Sequence, residues 1–159
     1  MYLLDTCVVS DLRRTAHVKQ NSSWFQSLAP HEQQAQAKLV AWSDTVVSLA
    51  LSISAVTVLE LEQGVLSLMR RDPKAGAILR NWLNHAVMPQ FADSVVPFDE
   101  QAALTCAFLH VPNNKPYRDA MIGASAIVRN LTLVTRNTVD FEGMVDAQGS
   151  TVRLHNPYL

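Results

Sequence analysis

Apolar positions along this chain fall into short continuous runs separated by stripes at helical spacing. Tyr2-Leu3-Leu4 is an apolar run that reads as a buried strand. Val8 to Arg14 predicts a helix leading away from it. Ala16 to Pro30 has no clear period and carries Trp24 and Phe25. Pro30 opens a helix over His31 to about Val47, with Ala35, Leu39, Trp42 and Val46 at helical spacing. Leu49 to Ser54 predicts a second strand, and Ala55 to Arg71 a helix. Asp72-Pro73 sets a cap residue before Pro at the first helical position, so a further helix is expected to about Val87. Val95 to Phe98 reads as a strand, Asp99 as the cap of a helix through His110, and Val111 to Pro116 as a polar loop. Tyr117 to Arg129 predicts a helix, Leu131 to Thr135 a strand and Thr151 to Leu154 a last strand. Strands alternating with helices imply an α/β fold with a central parallel sheet flanked by helices.

The 159 residues fit one domain spanning 1–159. A hydrophobic content of 48% supports a real core. The net charge of −1 gives no global attraction for phosphate, so a nucleic-acid binder needs a local basic patch. Arg13, Arg14, Lys19, Lys115, Arg118 and Arg136 are candidates, each near an acidic motif; a solvated face is the competing reading. Cys7 and Cys106 are too few for a disulfide scaffold and suit a reducing cytoplasm. The N-terminus enters a strand at once, so no signal peptide is expected. Thr45 to Leu59 is uncharged but shorter than the ~20 residues of a membrane helix, and no membrane association is expected. The five histidines are scattered, without zinc-site spacing.

Four acids stand at junctions where an apolar run gives way to a turn or helix. Asp5 ends the first strand. Glu60 follows Val58-Leu59, Asp119 opens Asp119-Ala120-Met121-Ile122-Gly123-Ala124, and Asp140 closes the run from Leu131 to Phe141. In a parallel α/β sheet such junctions gather outside the carboxyl ends of the strands. Four carboxylates there repel one another unless a cation sits between them, and Mg²⁺ or Mn²⁺ suits such oxygen donors. Each acid also has a local explanation. Asp5 can cap the next helix. Thr57-Val58-Leu59-Glu60 spells a capping box, a reading equal to metal binding on spacing alone. Asp119 can favour a helix N-terminus, and Asp140 can be a turn residue. Glu62 competes with Glu60 but lies on another helix face. Thr6 is placed to orient Asp5 by a hydrogen bond. Asp11, Asp44 and Asp93 have no distinguishing context.

Leu3-Leu4-Asp5-Thr6, Glu60-Leu61-Glu62-Gln63-Gly64-Val65, Asp119 to Ala124 and Leu133-Val134-Thr135-Arg136-Asn137-Thr138-Val139-Asp140-Phe141 occur in the order of the PIN-domain nucleases. The chain resembles most closely the VapC toxins of bacterial toxin–antitoxin pairs, and Asn156-Pro157-Tyr158 resembles their ending. The resemblance runs the whole length. It implies a cytoplasmic endoribonuclease in which Asp5, Glu60, Asp119 and Asp140 hold Mg²⁺ or Mn²⁺, with Asp5 and Asp119 as direct ligands. It implies that Thr135 and Asn137 support the site. It allows Asp99 an assisting role, although capping a helix is the preferred reading there. It further implies RNA as substrate, with tRNA one candidate, a small antitoxin as partner, and pairing as a homodimer. Trp24, Phe25 and Trp42 motivate a docking surface. Two departures stand out: Thr15 to Gln34 is longer than in the family, and Cys7 replaces a common Asn. Cys7 has no His close in sequence to activate it, so a buried small residue is expected there.

Other classes fit less well. A haloacid-dehalogenase-type phosphatase needs a second Asp where Cys7 stands, and a receiver domain needs an acidic pair ahead of its acceptor strand. A housekeeping or DNA-directed PIN nuclease, or a non-catalytic metal-binding interaction domain, remain the alternatives.

Overall fold

The computed structural model describes residues 1–15, 23–112 and 114–159, except for the side chains of Thr15 and Trp24. The expectations for His17, Lys19 and the Trp24 side chain lie outside the described residues. β1 (Tyr2–Leu4) is the centre of a five-stranded sheet of order β3-β2-β1-β4-β5, every pair parallel. Its partners are β2 (Leu51–Ser54), β3 (Val95–Val96), β4 (Thr132–Val134) and β5 (Arg153–His155).

Successive side chains of a strand face opposite ways, and β1 uses both faces. Leu3 packs with Ile122, Leu133 and Phe141, beneath α8 (Tyr117–Val128) and α9 (Thr138–Phe141). Leu4 packs with Val8, Leu39, Ile53 and Val65, beneath α1 (Thr6–Thr15), α3 (Pro30–Thr45) and α4 (Ala55–Arg71). A sheet buried on both faces explains why its strands read as continuous apolar runs. α5 (Pro73–Trp82) continues through one π turn, Leu83–Val87, into α6 (Met88–Gln90). α7 (Glu100–Leu109) lies against α8. Gly76 of α5 abuts α4 so closely that a Cβ there would lie 2.5 Å from the Met69 Cα.

Several elements depart from expectation for local reasons. α2 (Ser23–Ser27) forms a short helix in the stretch expected to be irregular. α1 starts at Thr6 rather than Val8, because the Asp5 carbonyl accepts from Val8 N and Val9 N at 3.0 and 3.2 Å. β3 stops at Val96, where Pro97 has no N–H to extend the ladder. Ser48–Ala50 is a 3₁₀ turn rather than the start of β2. β5 lies two residues later than expected, since Thr151 instead bridges Val145 antiparallel. The four residues of α9 are too few for a helical period to show.

The chain passes from β1 to β2 and β3 on one side, then crosses to β4 and β5 on the other. The order therefore reverses between β1 and β4. In open α/β sheets such a switch point leaves a crevice outside the carboxyl ends of the two strands.

Candidate active site

Asp5 leaves β1 into that crevice, and Thr135 leaves β4 beside it. The Asp5 N–H donates to Val134 O at 3.0 Å, which locks the two strand ends together. The carboxylate of Asp5 is nearly buried and accepts from Thr6 N and from the Thr135 hydroxyl, each at 2.7 Å. Thr135 is itself fully buried and accepts from Asn137 N at 3.0 Å. Thr135 thus aims Asp5, a role its β-branched side chain and strand-end position had left open. Thr6 orients Asp5 by a hydrogen bond as expected, through its N–H, while its hydroxyl donates to Glu60.

Glu60 is not part of a capping box. Ser54 caps α4 and accepts from Thr57 N at 2.8 Å, so Thr57 is already inside the helix. Leu61 faces the core and Leu59 faces solvent, which leaves Glu60 at the crevice rim. There it accepts from Thr6 and lies 3.5 Å from Arg118 Nη1. Glu62 is turned away and occupied: Arg80 makes a two-pronged contact with it, at 2.5 and 2.7 Å.

Asp119 sits in the first turn of α8. Burial and then the charges of Asp140, Asp5 and Glu60 push its carboxyl up to about 6. All four acids therefore share one electrostatic environment. Asp140, on α9, accepts from the Asn137 side chain. Asp5, Thr6, Cys7, Ser10, Glu60, Arg118, Asp119, Arg136 and Asn137 line an open cleft of about 650 Å³. Its carboxylate, hydroxyl and amide oxygens suit a hard cation, and its arginines suit phosphate. Among the described residues, no three His, Cys, Asp or Glu side chains are already drawn together as a ready metal cage.

Other residues fall elsewhere. Asp99 caps α7 through Ala102 N at 3.0 Å and pairs with Arg129, so it does not join the cleft. Cys7 is half-buried on the cleft wall rather than buried, and burial and then the Asp5 charge push its thiol up to about 12, against a thiolate nucleophile. Trp42, expected in a docking surface, is half-buried and packs against the core, with Tyr2 and His155 at centroid distances of 5.6 and 5.4 Å. Of the basic candidates, Arg118 and Arg136 line the cleft. Arg13 lies over the Trp82 ring, and Lys115 donates to Glu142 O at 3.2 Å.

Asp11, which has no distinguishing context in the sequence, is 2% exposed. Its Oδ2 accepts from the Tyr158 hydroxyl at 2.9 Å and from Arg136 Nη1 at 3.2 Å, and Arg14 lies 3.5 Å from Oδ1. The partners of Oδ2 are 147 and 125 residues away, so no local pattern could have pointed to them.

A doubly covered parallel sheet with carboxylates gathered at its switch point defines an α/β protein with an acidic cleft. The chain belongs to the PIN domain family, whose model matches residues 22–144. The match holds Glu60, Asp119 and Asp140, while Asp5 precedes it. Among relatives, Toxin FitB of Neisseria gonorrhoeae is 31% identical over 146 residues, covering 89% of this chain and 91% of that one. VapC ribonuclease Y4jK of Sinorhizobium fredii is 29% identical over 147 residues, again 89% and 91% of the two chains. Among solved structures, a chain of FitAB bound to an IR36 DNA fragment superposes with a TM-score of 0.74 at 27% identity, covering 100% of this chain and 96% of that one.

Proposed function

We propose that this chain is a divalent-metal-dependent endoribonuclease that acts as the toxin of a toxin–antitoxin pair. The observation that carries this reading is the single cleft lined by Asp5, Glu60 and Asp119, with Asp119 within reach of the charge of Asp140. Burial first, and then the charges of Asp140, Asp5 and Glu60, raise the Asp119 carboxyl, and a divalent cation would offset that crowding of negative charge. Mg²⁺ binds through one or two carboxylates plus water and substrate phosphate. Asp5 and Asp119 are the direct ligands in this reading, with Glu60 and Asp140 acting through water. A bound divalent ion supplies water activation and neutralisation of phosphoryl charge. The chain's own groups do the rest. Thr6 N and Thr135 fix Asp5, the Thr6 hydroxyl fixes Glu60, and Asn137 fixes Asp140.

RNA as the substrate and an antitoxin as the partner rest on the relatives, one named a toxin and another a VapC ribonuclease. An apolar groove of about 300 Å³ beside α1, lined by Val9, Leu12, Trp82, Val87 and Phe91, supports a protein partner. No helix among the described residues is long and apolar enough to cross a membrane.

Labelled RNA and DNA incubated with purified protein and Mg²⁺, Mn²⁺ or chelator test the reading. RNA should be cut with metal, and not with chelator or by Asp5→Asn protein. Cutting of DNA alone would replace it with a DNA-directed nuclease. Metal binding without cutting of either would leave an interaction domain.

A further inference from the structure

We infer that Arg136 is a substrate-positioning residue that grips a backbone phosphate flanking the scissile one, and that buried Asp11 and Tyr158 hold it there. This rests on the nuclease reading of the same cleft. The cleft is dominated by carboxylates and the chain carries a net charge of −1, so a polyanion needs a fixed cation at the rim to enter it. Arg136 lies between two residues that each fix an acid: Thr135 donates to Asp5 and Asn137 to Asp140. The Arg136 side chain remains 56% exposed along the cleft wall. A guanidinium presents a planar fork matched to phosphate, and its value depends on being held still.

Three contacts hold it. Nη1 donates to Asp11 Oδ2 at 3.2 Å, the guanidinium lies 5.7 Å over the Tyr158 ring, and Asn156 Nδ2 donates to Arg136 O at 3.4 Å. The Tyr158 hydroxyl donates to the same Oδ2 of Asp11 at 2.9 Å. Asp11 therefore receives donors from α1's neighbour strand-end loop and from the chain end at once. Arg118, beside Glu60, is a second cation facing the cleft, but no comparable buried support is seen beneath it among the described residues. A side chain braced this way binds a phosphate with little loss of rotamer freedom.

Steady-state cleavage of a short single-stranded RNA, measured at several salt concentrations, tests the inference. Arg136→Ala should raise KM about tenfold with kcat changed far less, as for a lost phosphate contact. In the uncleaving Asp119→Asn background, Arg136→Ala should make the slope of log affinity against log salt shallower by about 0.7. Arg136→Lys should restore the slope but not the full affinity. Tyr158→Phe keeps the ring and removes the donor, and should raise KM in the same direction by a smaller factor. Glu62→Gln, away from the cleft, should match wild type. An unchanged KM and salt slope in a folded Arg136→Ala protein would overturn the role of Arg136. A Tyr158→Phe protein that melts lower yet keeps the wild-type KM would overturn the bracing. Failure of the wild type to cleave any RNA would instead sink the nuclease reading.

Discussion

The hydroxyl of Thr135 donates to Asp5 Oδ2 at 2.7 Å across 130 residues of sequence, joining the ends of two adjacent parallel strands. The bond is buried and its acceptor is a carboxylate oxygen, and a hydrogen bond to a charged group contributes about 1.5–3 kcal/mol. Thr135→Val preserves shape and removes the donor. Cleavage should fall by about ten- to a hundredfold, as for other residues that orient a metal-binding group, while the fold survives with a lower melting temperature. Wild-type activity in a Thr135→Val protein would show that Asp5 does not depend on this bond.

Glu60 and Glu62 make a sharper comparison, because only the first faces the cleft. Glu60→Gln should abolish cleavage of labelled RNA. Glu62→Gln breaks an exposed pair with Arg80 and should leave the rate near wild type, since such pairs contribute little. The reverse result would mean that α4 presents a different face to substrate.

Asp119 gives a pH-dependent test in chelator-treated protein. Its folded carboxyl is raised to about 6 from the ordinary 3.8. The folded state therefore holds this proton more tightly than the unfolded one, and stability from it is fully present below the ordinary value. That contribution is lost as pH rises through about 6. Asp119→Asn should melt higher than wild type at neutral pH, and the gap should close as pH falls through the window between 6 and 3.8. Added Mn²⁺ should raise the melting temperature of wild type and do so much less in the variant. Equal metal response in the two proteins would remove Asp119 from the set of ligands.

Gly76→Ala probes the scaffold rather than the site. The new Cβ would meet Met69 Cα and N at 2.5 and 2.6 Å, and backbone cannot swing aside. The helices must part, at a cost of about 1–3 kcal/mol for overpacking, read by chemical denaturation. A neutral result would mean that the α4–α5 pair tolerates separation.

Growth arrest joins the chemistry to the toxin reading. Production of the wild type in a bacterium should stop growth, and Asp5→Ala or Asp119→Ala at equal protein level should each relieve it almost completely, because groups acting as one unit are not additive. Arrest by soluble, inactive protein would detach toxicity from cleavage.

Asp5 was legible because it ends a hydrophobic run, and such runs mark strands buried on both faces, whereas Asp140 lies on α9, beyond the end of β4. Glu60 stayed ambiguous in sequence because Thr57 imitates a cap; Ser54, one turn earlier and at the true strand end, takes that role instead. Trp42 was expected both at helical spacing and in a docking surface, and it lies half-buried against the core. Asp11 was illegible for a different reason. Nothing within a helical turn distinguishes it, and its burial follows from Tyr158 and Arg136 arriving from the far end of the chain.

The place of β1 at the middle of the sheet has a consequence for synthesis. The strand made first is flanked on one side by β2 and on the other by β4, which begins at Thr132. A ribosome that has produced Asp5 and Glu60 has not yet produced Asp119, Thr135 or Asp140, and the brace on Arg136 waits for Tyr158. A chain cut short before Thr132 would therefore lack one neighbour of β1 and, in the proposed reading, the residues that complete the acidic cleft.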